Sequence, residues 1–363
     1  MRIGIEAERA NNPIKTGVEH YAQQLIEHLA RLDSENQYQL YLRTRPEPWF
    51  LRLPKNFVTK VIPFPKFWTQ MRVSLEILLH PVDVLFVPAS AMPIIHAKRS
   101  VVTIHDLAWK FYPETFTWFN RNFLRLSTWF ALRVATKIIA VSETTKRDIE
   151  QLYPFAQGKI VVISHGFTPK PVSQTLTAQE TLQLPEKYFL FLSTLQPRKN
   201  LEGLIQAFRL FSKEHPDIHF KLVVVGTPGW KYEPILEAIN RNRDSVVYLR
   251  YVADSLKFTI MSRAFALVLP SFYEGFGMQI LEAFDAGIPV LTSTISSMPE
   301  VAGDAAIYFD PHSKESMAAA LWTIASDAQL YTQLVERGTE RLKKFSWERC
   351  AKETHAVLVS NNP

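Results

Sequence analysis

Two acids and two neighbouring cations are the side chains of this sequence best spaced to do chemistry. Glu274 and Glu282 stand in Pro270-Ser-Phe-Tyr-Glu-Gly-Phe-Gly-Met-Gln-Ile-Leu-Glu282, where an apolar strand gives way to a glycine-containing turn. A short amphipathic helix is expected from about Met278, stopping at Gly287 in a C-cap position. Gly275 and Gly277, with Phe276 between them, would let backbone amides approach a polar ligand, and the helix start would favour its negative charge. Carboxylates accept hydrogen bonds from paired hydroxyls, so sugar or ribose diols are fitting partners for Glu274 and Glu282. Spacing alone equally admits a Glu274 that caps the helix and a Glu282 on a solvated face.

The cations are Arg198 and Lys199, in Leu192-Ser-Thr-Leu-Gln-Pro-Arg-Lys-Asn-Leu201. A strand runs into this loop, and Asn200 suits the N-cap of the helix that follows. Cations just before a helix N-terminus can hold a diphosphate, at about 1.5–3 kcal/mol per charge-assisted bond. As an isolated feature the pair would read as solvated loop charges. Gly17, in Lys15-Thr-Gly-Val-Glu-His-Tyr21, opens the first long helix and could sit close to a phosphate or sugar, though a plain turn explains it as well. His105-Asp106 ends a strand at its carboxyl edge, as a reaction-centre histidine or as a structural pair. Gly226-Thr-Pro-Gly229 lacks the G-x-G-x-x-G pattern, which argues against a nicotinamide site.

These residues need a scaffold of alternating strands and helices, and the sequence provides one. Strands are expected at Arg2–Glu6, Tyr38–Leu42, Val58–Pro63, Val82–Val87, Ser100–Ile104, Lys137–Val141 and Lys159–Ile163. Val18–Leu32 carries apolar residues at helical spacing. A second series follows at Tyr188–Ser193, Lys221–Gly226, Val246–Tyr251, Ala266–Pro270, Pro289–Thr292 and Ala306–Phe309, with helices such as Leu201–Glu214 and Met278–Ala286 between. The polar, proline-bearing stretch Thr168–Thr177 reads as a linker. Two doubly wound α/β domains with parallel sheets, facing across a cleft, are therefore expected. A last helix, about Trp347–Val359, has no strand after it and either closes the second domain or crosses back to the first.

With 363 residues, 47% hydrophobic and 21% charged, the composition is that of a globular protein and excludes disorder, collagen and coiled coil. Cys350 is the only cysteine, which excludes an internal disulfide and a cysteine-based metal cage, and a reducing cytoplasmic setting is expected. Charges near Met1 interrupt any secretory signal, and no run reaches the ~18 apolar residues of a membrane span. A soluble or surface-attached protein is the expectation. Residues 1–168 hold 21 Lys and Arg against 14 Asp and Glu, so the whole excess positive charge lies there and would attract an anionic partner.

Taken together, these motifs resemble the retaining glycosyltransferases of the GT-B fold, glycosyltransferase family 4 (group 1). The resemblance runs from Thr16-Gly17-Val18 to Phe345-Ser346-Trp347. It is carried by the E-x7-E spacing of Glu274 and Glu282, Ala286-Gly-Ile-Pro-Val290, Met298-Pro-Glu-Val-Ala-Gly-Asp-Ala305, Pro197-Arg-Lys-Asn200 and His105-Asp106. It implies an acceptor-side Rossmann-like domain over 1–168, a nucleotide-sugar domain over 169–345 and a closing helix over 346–363. It further implies that Lys199, Arg198 and Gly17 hold the donor diphosphate, and that Glu282 holds the ribose. Glu274, Gly275, Phe276 and Gly277 would hold the transferred hexose, with His105 and Glu274 at the reacting carbon. Ser142 and Glu143 are weaker candidates. No metal or cofactor is implied, and no protein nucleophile, because front-face attack lets the leaving phosphate take the acceptor's proton. The donor would be GDP-mannose or a UDP-sugar. The chain departs from the family pattern at Met278-Gln279, where Leu-Pro is common, and at Ser193-Thr194, where Gly-Arg is common.

The acceptor is expected on the first domain, as a glycan or a lipid-linked sugar. Trp109, Phe111, Tyr112, Phe116, Trp118, Phe119, Phe123, Trp129 and Phe130 crowd one stretch with Lys110, Arg121 and Arg125. Pro63-Phe-Pro-Lys-Phe-Trp68 repeats the theme. Such residues suit a peripheral contact with the cytoplasmic face of a membrane, although most of these rings are expected in the core. Two other functions are kept open: a GT-B nucleotide-sugar epimerase, and a nucleic-acid-binding protein using the basic half, for which no binding motif accompanies the charge.

Overall fold

The computed structural model describes residues 1–13, 15–169 and 184–360, with the side chains of Asp254 and Ser255 outside the description. The expected linker Thr168–Thr177 therefore lies outside the described residues from 170 onward. The chain divides into two units. Unit 1 comprises Met1–Phe111, Thr117–Gly166 and Phe345–Pro363; unit 2 comprises Tyr112–Phe116 and Phe167–Lys344.

In unit 1, seven parallel strands follow the order β3-β2-β1-β4-β5-β6-β7. They are β1 (Arg2–Glu6), β2 (Gln37–Leu42), β3 (Phe57–Val61), β4 (Val84–Val87), β5 (Arg99–Ile104), β6 (Lys137–Ala140) and β7 (Ile160–Val162). β1 is flanked on both sides, with Ile5 opposite Leu40 of β2 and Phe86 of β4, and its residues Ile3–Glu6 are buried as a central parallel strand requires. The helix Gly17–Leu32 begins where Glu19 reaches back to the Thr16 amide at 3.2 Å, a capping box. It turns Tyr21, Ala22, Leu25, Ile26 and Leu29 into the core.

Unit 2 has six strands, β8 (Tyr188–Leu192), β9 (Lys221–Val225), β10 (Val246–Tyr248), β11 (Ala266–Leu269), β12 (Val290–Ser293) and β13 (Ala306–Phe309). Their order, β10-β9-β8-β11-β12-β13, is again all parallel. The strand order reverses between β8 and β11, which makes their carboxyl ends the topological switch point, the place where open α/β sheets take ligands. The expected strands are all present, most of them shortened by a residue or two at the ends where side chains leave the sheet.

The closing helix Trp347–Val359 resolves the alternative left open by the sequence, because it packs on unit 1. Trp347, Cys350, Ala351 and Leu358 are buried in the same core as Tyr21, Leu25 and Ile26. Its entry is tight: a Cβ on Gly166 would lie 2.2 Å from the Trp347 backbone nitrogen, so only glycine fits there. His355 Nε2 meets the Asp33 carboxylate at 2.9 Å, and Arg99 donates to the Leu358 carbonyl at 3.0 Å. Burial pushes the Cys350 thiol up to about 12, which leaves it protonated and unreactive.

Candidate active site

Two loops at the switch point of unit 2 carry the first group of candidate residues. After β8 the chain passes through Ser193–Gln196 into a single 3₁₀ turn, Pro197–Lys199, and then the helix Leu201–Glu214. After β11 it passes through Pro270–Gly277 into the helix Met278–Asp285. The two loops are bound to each other: the Phe272 amide donates to the Arg198 carbonyl at 3.0 Å, and Arg198 Nη1 donates to the Tyr273 carbonyl.

At their meeting point Lys199, Arg198 and Glu274 form one buried charge cluster. Lys199 Nζ and the Ser271 hydroxyl both donate to Glu274 Oε1, the latter at 2.7 Å, while Arg198 Nη1 lies 3.3 Å from Oε2. Lys199 is 6% exposed and Glu274 7%, so neither is a solvated surface charge. Burial alone would raise the Glu274 carboxyl, but the charges of Lys199 and then Arg198, with hydrogen bonds from Lys199 and Ser271, outweigh it and bring the carboxyl down to about 2. The cations and the first acid, read from sequence as holding different parts of a ligand, thus touch each other in the free chain.

The turn that presents Glu274 is pinned from behind by serines. Ser296 Oγ accepts from the Glu274 amide at 3.0 Å and donates to its carbonyl at 2.7 Å. Ser297 Oγ donates to the carbonyls of Glu274 and Phe276, both at 2.9 Å. Ser296 holds a left-handed φ of 60°, and Gly277 one of 97° as the N-cap residue of the helix. Glu274 is therefore not the cap. Asn200 occupies its N-cap position at φ 55° but makes no side-chain cap; its amide donates instead to the Pro311 carbonyl at 2.7 Å. That corrects the expected capping role, and the left-handed backbone is the reason, because it turns the side chain away from the first-turn amides.

Glu282, expected on the ribose, lies within the helix Met278–Asp285 and is half-buried, paired with Lys257 of the helix Asp254–Ser262 at 2.6 Å. It is not a solvated face residue. Ser271, Ser296, Ser297 and Lys257 were missed from sequence. The serines flank the motifs already singled out, whereas nothing in the sequence marks Lys257.

Unit 1 holds the other candidates at the carboxyl edge of its own sheet. His105 follows β5, and its Nε2 lies 2.9 Å from the Pro88 carbonyl, which can only accept; Nε2 therefore carries the proton and Nδ1 the lone pair. Burial holds its pKa below the ordinary value, so the ring is neutral. His105 and Asp106 do not pair: Asp106 Oδ1 accepts from the Ala108 amide at 3.0 Å. Tyr21 and His165 rings pack on the His105 ring at 4.8 and 5.4 Å. A Cβ on Gly17 would meet nothing within 4 Å, so no packing inside the protein demands glycine there. Ser142 is buried as a helix cap, its Oγ accepting from the Thr145 amide at 3.0 Å, and exposed Glu143 pairs with Lys146 at 3.7 Å. Glu6, at the end of β1, was not foreseen; burial pushes its carboxyl up to about 7.

An acid-limb experiment follows from Glu274. Its carboxyl titrates near 4.5 in the unfolded chain and about 2 in the folded one, so its contribution to stability is complete above about 4.5 and lost as pH falls toward about 2. Urea midpoints measured across that window should fall more for the wild type than for Glu274→Gln; parallel curves would contradict the pairing.

A sheet pair of this topology, with a buried cation–carboxylate cluster at the switch point, defines a two-domain α/β enzyme of the GT-B fold. Residues 172–341 match the family described as Glycosyl transferases group 1, and residues 15–170 match Glycosyltransferase Family 4. The O-antigen chain mannosyltransferase B of Escherichia coli is 31% identical over 264 residues, 71% of this chain and 69% of that protein. The O-antigen chain mannosyltransferase RfbU of Salmonella typhimurium is 26% identical over 228 residues, and the match covers 61% of its length. Among solved structures, sucrose-phosphate synthase of Thermosynechococcus elongatus superposes with a TM-score of 0.75 at 18% identity over 98% of both chains. Anabaena Alr3699/HepE, solved with UDP and glucose, gives 0.70 at 19% over 99% of both. The chain belongs to the group 1, family 4 glycosyltransferases.

Proposed function

We propose that the chain transfers a hexose, mannose first, from a nucleotide diphosphate sugar to a glycan or lipid-linked acceptor with retention of anomeric configuration, as part of cell-surface polysaccharide assembly. The buried Lys199–Arg198–Glu274 cluster at the switch point carries this reading. Breaking the sugar–diphosphate bond leaves negative charge on the phosphate and an oxocarbenium-like sugar. Fixed cations stabilise that developing charge, and in a site this buried they do so without reorganising. A Glu274 held ionised can accept hydrogen bonds from hexose hydroxyls once the diphosphate takes over its cations, and Glu282 from the ribose diol. In unit 1, Gly17 and His105 are assigned by family resemblance to the diphosphate and the sugar. His105, with its lone pair on Nδ1, would accept from a hydroxyl. The O-antigen mannosyltransferase relatives favour mannose, and HepE with UDP and glucose favours a nucleotide-linked donor. A lipid-linked acceptor would hold the enzyme at the cytoplasmic surface of a membrane; among the described residues no helix is long and apolar enough to cross one.

The test is thermal unfolding with a panel of nucleotides and nucleotide sugars. One nucleotide, GDP or UDP, should stabilise the wild type, and Lys199→Ala and Glu282→Ala should each abolish that shift. Unaltered stabilisation in both variants would contradict the site. A glycosyl adduct trapped on a side chain would contradict front-face transfer.

A further inference from the structure

Unit 1 carries a helical segment that is apolar on two sides: Trp68, Val73 and Ile77 are buried, and a second apolar face is left outside. One π-helical turn, Trp68–Val73, runs straight into the helix Ser74–Leu79, and along them Met71, Leu75, Leu78 and Leu79 are exposed while Glu76 is buried. The spacing i, i+4, i+7, i+8 is one helix face, the face that a soluble domain turns inward. Beside it Ile94 is 63% exposed, and the Ile95 amide is tied to the Ser74 hydroxyl at 3.0 Å. Between them lies a groove of about 390 Å³ walled by Phe64, Met71, Leu75, Ile94 and Ile95, with Arg72 on its lining.

A second unpartnered face adjoins the first. The helix Trp118–Val134 buries only Thr128, Ala131 and Leu132. It exposes Phe119, Leu126 and Trp129, and Trp118 at 73%. This corrects the expectation that most aromatics of that stretch are core residues; Trp109 is buried, but the helix shows its rings outward because its inner side is small enough to lie flat on the sheet. Its charges are Arg121, Arg125 and Arg133, with no acid. None of the three joins an ion pair among the described residues. The two faces are linked by the loop that bears Ile94: Ser127 Oγ donates to the Ser90 carbonyl at 3.2 Å, and the Phe130 ring stands edge-on to His96 at 6.4 Å.

Exposed apolar surface on this scale marks a partner, and the charge around it says which kind. Lys60 and Arg72 (3.0 Å) share the single carboxylate of Glu76, which leaves a net positive charge beside the groove that Arg72 lines, and the neighbouring helix is positive as well. A second copy would bring like charges together, which is unfavourable. A bilayer of anionic lipid offers both hydrocarbon and negative charge. We propose that this face of unit 1 docks on an anionic lipid bilayer, the Met71–Leu79 face and its groove taking hydrocarbon and the arginine-bearing aromatic helix lying at headgroup level. It deepens, and rests on, the reading of the acceptor as lipid-linked.

Sedimentation with vesicles of phosphatidylcholine alone, or with added phosphatidylglycerol, tests it on the full chain. The wild type should bind the anionic vesicles, more weakly at high salt. Arg121→Gln with Arg125→Gln should cut binding about 30-fold at low salt, at roughly fivefold per surface arginine. Leu75→Ser with Leu79→Ser should cut it about tenfold or more at every salt concentration. All four positions belong to unit 1 and the donor loops to unit 2, so nucleotide stabilisation should be unchanged in these variants, which also shows that they fold. A wild type left in the supernatant with both vesicles overturns the proposal, as does a dimer that the leucine pair dissolves. Vesicle binding without any nucleotide stabilisation of the wild type sinks the donor reading and leaves the surface standing; the reverse result does the opposite.

Discussion

Glu274→Gln is expected to cost about 3–5 kcal/mol of stability and to lower transfer roughly 100-fold or more. The substitution keeps the shape but leaves Lys199 and Arg198 buried beside a neutral amide, with the full cost of taking charge out of water and no carboxylate to offset it. Adding Lys199→Met removes one of the stranded charges, so the double variant should be more stable than Glu274→Gln alone even though its donor binding is worse. Urea midpoints and single-turnover rates on the four corners of that cycle check both halves. Losses that simply add would show that the residues act independently, against the geometry.

Gly226→Ala should be nearly as damaging, for a steric reason. A Cβ at Gly226 would lie 1.8 Å from the Ser193 carbonyl oxygen and 2.8 Å from its carbon. Neither strand end can yield, because the Ser193 amide donates to the Val225 carbonyl at 3.1 Å and the Gly226 amide to that of Arg250 at 2.9 Å. Overpacking costs typically 1–3 kcal/mol, and a backbone clash this close belongs at about 3 kcal/mol or above. The displaced segment is the one that leads to Arg198 and Lys199, so nucleotide stabilisation should vanish in the same variant. Gly17→Ala is the matched control: nothing stands within 4 Å of its Cβ, so the melting temperature should hardly move, and any loss of donor affinity would report the ligand side of that residue. A Gly226→Ala protein that melts like the wild type would refute the reasoning.

Strand positions were legible because parallel strands buried on both faces read as short β-branched runs, and β1 and β13 were found to the residue. The ends of the others drifted where the chain leaves the sheet. Of the site, the motif spacing located both loops, but no sequence pattern could say that Lys199 and Glu274 bond each other, since that depends on how β8 and β11 lie side by side. Lys257 was invisible for the same reason: its pairing with Glu282 spans two helices and leaves no periodicity. The helix over residues 68–79 went unread because hydrophobic patterning looks for one apolar face, and there Trp68, Val73 and Ile77 turn inward while Met71, Leu75, Leu78 and Leu79 turn outward. Asn200 shows the opposite failure, a favourable cap residue whose backbone conformation sends its side chain elsewhere.

The return of residues 347–359 to the first unit bears on how the molecule is made. As the polypeptide leaves the ribosome, the amino-terminal half emerges early yet lacks one wall of its core, the wall that Trp347 and Leu358 supply. The later half has all of its own parts once Lys344 has been translated. The half synthesised first thus has its core closed only after the half that follows it has been made.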